Sequence, residues 1–392
     1  MNIPRISKTQ YNMYAERCPV QYEFRYELGI KEKPAGAMKL GGSVHKAVEH
    51  NYIQKADSHK DIPLDEATDY FSQNLKQELE REEVDYDEGE TPGTLQDQGV
   101  GLVKAHHTVI APATAPKSKA TVEQPIFQLV MVEKLKDGTL QRLHTTLPGF
   151  PGGNYFQRMD ASKAWAEAAV QKILDEKREL LLAYQLDSVL DLTDDQDRVR
   201  ELKTAARTPS EDFAHKLVDL THYDLAYRWM TNAAPKGLAV DMLVKTKDPK
   251  ALTLPTRRSR AQLEAHLDRI GMMAKAIEHQ IFIPRTDWFG CSKRFCGYWD
   301  RCPYGGKGAP VIVDPNGGQQ LAAQLKESID RAEEAKSKTQ VQGKAQEEGG
   351  AGVSNPRPSG GGGDTLFGNQ PPSGGQRRPP LRIAKRVGPK AR

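Results

Sequence analysis

The stretch Leu180-Leu181-Leu182-Ala183-Tyr184-Gln185-Leu186-Asp187-Ser188-Val189-Leu190 constrains this chain more than any other. It reads as a buried strand with one acidic residue inside it. A turn of Asp194-Asp195-Gln196-Asp197 follows, and Arg198-Val199-Arg200-Glu201-Leu202-Lys203-Thr204 alternates like a hairpin partner. The rest of the fold has to be built around this pair.

Helical spacing predicts a mostly helical segment from Ser7 to Tyr26, capped by Ser7 or Thr9. Gly41-Gly42-Ser43 is expected to open a second helix with His45 in its first turn, and Leu64, Ala67, Phe71, Leu75 and Leu79 mark a third after Pro63. The run Glu78 to Glu90, with eight carboxylates around Arg81, reads as a solvated helix end and loop. Ile126 to Glu133 suggests a strand, Leu140 to Tyr155 a Pro/Gly-interrupted loop, and Asp160 the cap of a helix reaching about Leu174. One long helix capped by Ser210 is expected through Phe213, Leu217, Leu220 and Tyr227, then a strand over Leu238 to Val244. Ser259-x-x-Gln262 is a capping box ahead of a further helix. This order argues for an α/β fold, a mixed central sheet flanked by helices.

No apolar run approaches the roughly 20 residues that span a bilayer, and the first residues lack the apolar core of a signal peptide, so a soluble, cytoplasmic protein is expected. The net charge of +4 is uneven: residues 305 to 392 hold 14 Lys/Arg against 8 Asp/Glu, leaving 42 against 44 in the body. A polyanion would therefore have to be recognised in a local groove. Of the 33 glycines, 17 fall in residues 305–392, which predicts a disordered tail after a body of residues 1–304. Leu321, Leu325, Ile329 and Ala332 suggest one amphipathic helix inside that tail. Its last 23 residues carry Arg377, Arg378, Arg382, Lys385, Arg386, Lys390 and Arg392 without an acid, which suits either an arm for nucleic acid or protein partners or a solubilising tail.

Phosphodiester hydrolysis calls for a hard cation that neutralises phosphoryl oxygens and activates water, and carboxylates are what such a cation prefers. Asp187 on one strand and Glu201 with Lys203 on the next, two residues apart and so on one face, can supply two acids and an ammonium. A surface salt bridge is the alternative reading of the same residues. The pattern Asp187, then fourteen positions later Glu201-Leu202-Lys203-Thr204, resembles the PD-(D/E)xK nuclease superfamily, and its RecB-like branch in particular. That branch carries a G-x-x-x-H segment, matched by Gly41-Gly42-Ser43-Val44-His45.

The resemblance implies a restriction-endonuclease-like fold, Asp187 and Glu201 as ligands to Mg²⁺ or Mn²⁺, His45 as a further ligand and Lys203 as the catalytic lysine. Asp191 competes for the first carboxylate, although its ten-residue gap to Glu201 fits the family spacing less well. The family's Q-x-x-x-Y motif, which contacts DNA, corresponds to Tyr223-Asp224-Leu225-Ala226-Tyr227, where the tyrosine matches and the glutamine does not. Tyr223 and Tyr227 are thus the expected DNA contacts, with core packing the alternative for Tyr227.

Cys18 stands alone, followed by Pro19, and Cys291, Cys296 and Cys302 cluster as C-x4-C-x5-C. Reduced packing, zinc and a cluster are all open from spacing alone. An early cysteine with a late triplet resembles the iron-sulfur RecB-like nucleases, including AddB-type subunits. This implies a structural [4Fe-4S] cluster held by all four cysteines, with structural Zn²⁺ as the alternative. The function then implied is a metal-dependent deoxyribonuclease, an exonuclease acting on single strands or duplex ends in replication, recombination or repair. A catalytically inactive DNA-binding or scaffold subunit is the competing reading.

Overall fold

The strands are β1 (Arg5–Ser7), β2 (Val122–Lys134), β3 (Leu140–Thr146), β4 (Glu179–Thr193), β5 (Arg198–Ala205), β6 (Gly237–Val244) and β7 (Lys250–Thr256). They form a single mixed sheet in the order β3-β2-β4-β5-β6-β7, with β1 paired to β4 off that path. The helices are α1 (Lys8–Tyr11), α2 (Pro19–Tyr22), α3 (Gly36–Ser58), α4 (Leu64–Arg81), α5 (Pro92–Ala105), α6 (Tyr155–Asp175), α7 (Phe213–Lys216), α8 (Val218–Thr231) and α9 (Arg260–Glu278). The molecule is represented by a computed structural model that describes residues 3–147 and 155–305. The chain divides into two units: residues 3–147 and 155–299 belong to the first and make up the body discussed below, and residues 300–305 belong to the second. The expected glycine-rich tail, its amphipathic helix and its basic end lie outside the described residues.

The mixed α/β architecture is the one the order of elements predicts. Helices α3, α4 and α5 cover one face of the sheet, packing Leu40, Val44, Phe71, Leu75 and Leu102 against Val122, Leu192, Leu202 and Leu243. Helices α7 and α8 cover the other, against Val199, Leu238, Val240 and Met242. Strand β5 runs parallel to β6, so the chain must cross over between them, and α7 and α8 are that crossover. Helix α9 and the N-terminal segment close around Ile6, Tyr11, Tyr184, Leu186 and Ile270.

Several local expectations are revised. Residues 8–17 and 19–27 are helical with Cys18 extended between them, and α turns alternate with π turns over Asn12–Arg17 and Glu23–Glu27. Gly41 and Gly42 lie inside α3, which begins at Gly36, so His45 sits in mid-helix rather than in a first turn. A Cβ at Gly41 would come within 3.2 Å of Thr204 Oγ1, so the glycine serves close packing on β5. Residues 140–146, expected as loop, form edge strand β3, turned back on β2 through Gly138 at a φ of +81°. The expected helix from Ser210 breaks at Leu217, whose carbonyl accepts from Arg258 Nη2 at 2.7 Å. Ser7 is the cap of α1, in a capping box with Gln10, and Ser259 and Gln262 form theirs at α9. The acidic run is less solvated than its composition suggests, because the buried Lys39 ammonium lies 2.8 Å from Glu78 and 2.7 Å from Glu82.

Candidate active site

The hairpin β4–β5 pairs only at its mouth, Leu192 with Arg200 and Thr193 with Val199. Extending that register sets Asp191 opposite Glu201, whereas Asp187 falls opposite Ala205. On the other side, the pairs Val122↔Leu192 and Gln124↔Leu190 set Glu123 opposite Asp191. Three carboxylates on adjacent strands thus form one row across the sheet. Glu123 has a φ of 48°, a left-handed conformation that costs a non-glycine residue about 1 kcal/mol or more and that is tolerated where surrounding structure enforces it.

Beyond its mouth the hairpin splays, and side chains take over the backbone groups of Leu202. Its N–H donates to Asp191 Oδ2 at 2.9 Å, and its carbonyl accepts from His45 Nε2 at 2.7 Å. A carbonyl only accepts, so the imidazole proton is on Nε2, and in the neutral ring Nδ1 keeps its lone pair, 3.6 Å from Asp191 Oδ2. One ligand atom from each of His45, Glu123 and Asp191 lies within 4.8 Å of the others. Imidazole and carboxylates are suitable donors for a divalent cation.

Glu201 adjoins this group from β5 and has no solvent exposure. Its Oε1 accepts from Lys203 Nζ at 2.5 Å and from Lys8 Nζ at 3.0 Å, while its buried Oε2 has no hydrogen-bond partner. Lys203 also reaches Asp219 Oδ2 on α8 at 2.7 Å, and Asn12 Nδ2 donates to Asp219 Oδ1 at 2.7 Å. Lys8 Nζ donates to Tyr223 Oη at 2.5 Å.

These groups perturb one another strongly. Burial raises Asp191, and the neighbouring Glu201 raises it further, against His45 and Lys8, to about 6. Burial, Asp191 and Glu49 push Glu123 up to about 8. Burial acts in the same direction on Glu201, but Lys8 and Lys203 together hold it below the usual carboxylate range. Asp219 is likewise held down by the two ammoniums against its burial. Lys203 loses charge stability to burial, yet Glu201 and Asp219 more than restore it, so it stays protonated. The result is a crowded acidic row next to a compensated lysine–carboxylate network, with an orphaned oxygen on Glu201. Such a row gains from a bound cation.

Of the residues expected at the site, His45, Glu201 and Lys203 occupy it together with Asp191. Asp187 lies four residues before Asp191 in β4, on the wall of the same cavity, and its carboxylate is ion-paired with Arg5. The hairpin is shorter than the expected spacing assumed, which moves the position opposite Glu201 from Asp187 to Asp191. Tyr223 is buried, yet its hydroxyl is at the site through Lys8. Tyr227 is not offered to a nucleic acid: it is 5% exposed within the hydrophobic cluster under α8, with its hydroxyl on Asp197 at 3.3 Å. The residues of α8 that face the site are Asp219 and Tyr223, one turn earlier than expected. Their i, i+4 spacing was available as a signal. Lys8 and Glu123 carried none.

Within the body, the early and late cysteine segments are in contact. Gln21 Nε2 donates to Cys296 Sγ at 3.2 Å, the Arg285 N–H to Cys18 Sγ at 3.4 Å, and Phe24 stacks on Tyr298 with centroids 5.1 Å apart. Cys302 belongs to the second unit.

No described helix is long and apolar enough to cross a membrane. Comparison with curated proteins gives no match. Among solved structures, the chain is similar to a crystal structure from Eubacterium rectale named "Putative exonuclease", with a TM-score of 0.39, 11% identity, and coverage of 81% of this chain and 93% of that one. The sequence profile of the PD-(D/E)XK nuclease superfamily matches residues 5–303, from the first strand through the cysteine triplet. By that match, spanning most of its length, the chain belongs to the PD-(D/E)XK nuclease superfamily.

Proposed function

We propose that this protein is a Mg²⁺- or Mn²⁺-dependent deoxyribonuclease of the RecB-like branch, an exonuclease acting on single strands or duplex ends in DNA replication, recombination or repair. The observation that carries the reading is the meeting of His45, Glu123 and Asp191 beside Glu201, whose Oε2 is buried without a partner. In this reading His45 Nδ1, Asp191, Glu201 and Glu123 hold the cation, and Asp191 takes the ligand position first expected of Asp187. A bound divalent ion would neutralise phosphoryl oxygens and make water acidic enough to attack at neutral pH. Lys203 stays charged and, tied to Glu201 and Asp219, holds the position from which an ammonium orients water or phosphate.

A cavity of about 390 Å³ opens at the site, lined by Lys8, His45, Glu123, Asp187, Asp191 and Tyr223 among others. Its size is that of a small-ligand site, which suits one splayed nucleotide better than the flank of a duplex. Cleavage of end-labelled single- and double-stranded DNA with Mg²⁺, Mn²⁺ or EDTA tests the proposal: ion-dependent shortening from an end supports it, and intact substrate under every condition refutes it.

We propose further that the cysteines hold an iron-sulfur cluster that ties the early and late segments together. The thiol donors, the contact of Gln21 with Cys296 and the aromatic pair Phe24–Tyr298 support this. The full chain purified without oxygen should then be coloured, and Cys291→Ser should bleach it and lower its melting temperature. A colourless chain containing no iron rejects the cluster.

A further inference from the structure

Strand β1 enters where β4 and β5 part. It runs parallel to β4, Arg5 beside Gln185, Ile6 beside Leu186 and Ser7 beside Asp187, with Ile6 fully buried. The Ser7–Gln10 capping box then turns the chain sharply into α1, and this places Lys8, the first residue of that helix, over Glu201. The site therefore has two ammoniums with different surroundings. Lys203 is bound on both sides by buried carboxylates, Glu201 at 2.5 Å and Asp219 at 2.7 Å. Lys8 has Glu201 at 3.0 Å, the neutral Tyr223 hydroxyl at 2.5 Å, and Asp219 only at 3.7 Å.

The cavity distinguishes them further. Among the described residues, its wall includes Ser7, Lys8, Thr9, His45, Asp191 and Tyr223, and neither Glu201 nor Lys203. Lys46, the other ammonium on that wall, is paired with Glu49. Of the two ammoniums on Glu201, Lys8 is thus the one that lines this cavity, where an incoming phosphodiester would enter.

Resting on the nuclease reading above, we infer that Lys8 is a second catalytic lysine, which contacts a non-bridging oxygen of the scissile phosphate from the cavity side. The ammonium is neither consumed nor deprotonated in this role; it stabilises charge that grows on the phosphoryl oxygens as water adds and the ester oxygen leaves.

The test uses the full chain as wild type, Lys8→Met, Lys8→Arg and Asp191→Asn, with single-turnover cleavage of labelled single-stranded DNA at saturating enzyme in Mn²⁺. Binding of Mn²⁺ and melting temperature are measured alongside. Loss of one such electrostatic contact is expected to slow K8M by roughly 10²-fold, with K8R recovering a good part of the rate. Mn²⁺ affinity should stay within about threefold of wild type in both, since no lysine is a ligand. A K8M rate equal to wild type overturns the assignment. So does a K8M defect matched by lost Mn²⁺ affinity, or one that K8R shares in full, because either marks a structural role. Should K8M not fold, Lys8→Gln is measured with and without added methylamine, and failure of the amine to raise the rate counts against Lys8. Wild-type cleavage with an inert D191N variant secures the nuclease reading independently, so a null result at Lys8 falls on this inference alone; an inert wild type removes both.

Discussion

Asp191→Asn separates the two candidate aspartates through their different response to metal. In the metal-free protein, burial and Glu201 raise the Asp191 carboxyl from 3.8 to about 6. A group whose folded pKa lies above its unfolded one favours the folded state when protonated. Its contribution is therefore greatest at low pH and is lost as pH rises from about 4 through about 6. At pH 7.5 the ionised carboxylate costs the fold at most about 3 kcal/mol, at about 1.36 kcal/mol for each tenfold in acid strength between 3.8 and about 6. Asparagine removes the charge, and its Oδ1 can still accept the Leu202 N–H that Asp191 holds at 2.9 Å. For a body of about 300 residues, that ceiling corresponds to a rise in Tm of about 5 °C. D191N should therefore melt higher than wild type in EDTA at pH 7.5, show little difference at pH 4.5, lose the stabilisation that Mg²⁺ or Mn²⁺ gives wild type, and fail to cleave DNA. Asp187→Asn leaves the row of carboxylates intact and should keep the metal response, although burial raises that carboxyl too, against its pair with Arg5. Scanning calorimetry with and without metal reads both. A D191N protein that melts lower than wild type in EDTA, or one that still gains stability from Mn²⁺, would refute the placement of Asp191 in the crowded row.

Arg200 donates to Asp241 through two nitrogens, at 2.8 and 2.6 Å, with both side chains nearly fully buried; Arg200→Ala should cost about 3–5 kcal/mol in urea unfolding by stranding the Asp241 charge. A loss under 1 kcal/mol would show that water reaches the pair. Gly99 on α5 lies so close to α4 that a Cβ would fall 1.8 Å from the Phe71 ring, which has no exposure. Gly99→Ala is expected to destabilise by at least about 1–3 kcal/mol, and an unchanged Tm would mean that the two helices separate easily. Lys203→Ala leaves Asp219 buried beside Lys8 alone and should abolish cleavage while retaining Mn²⁺ binding, as followed by calorimetric titration; loss of metal binding would place Lys203 in a supporting role for the ligands.

The elements that local pattern specifies were legible in the sequence. Apolar continuity marks β4, alternation marks β5, and Ser259 with Gln262 marks the start of α9. His45, Glu201 and Lys203 could be named because their spacing lies within single segments. The choice between Asp187 and Asp191 could not be settled in that way, because both share a strand face and only the length of the 194–197 turn sets which one stands opposite Glu201. Glu123 was hidden for a related reason: its place depends on the register between β2 and β4, which no local pattern reports. Lys8 depends on a parallel pairing between segments far apart in the sequence, Ser7 beside Asp187. The inner glycines of α3 misled because glycine usually punctuates helices, whereas Gly41 answers to a strand lying across it.

That parallel pairing has a consequence for how competence is distributed in the molecule. Strand β1 holds only three residues and, among the described strands, pairs with β4 alone, while β4 is gripped along most of its length by β2. Detaching the short segment needs none of the ladders that support the rest of the sheet to open, though it draws buried Ile6 out of its cluster, and local openings of this kind lie below the free energy of global unfolding. Ser7, Lys8 and the Arg5 clasp would leave together, taking one wall of the cleft with them. The fold can thus remain intact while the cleft opens and re-forms, and amide exchange at Ile6 and Ser7 faster than at Leu186 and Leu190 would register each event.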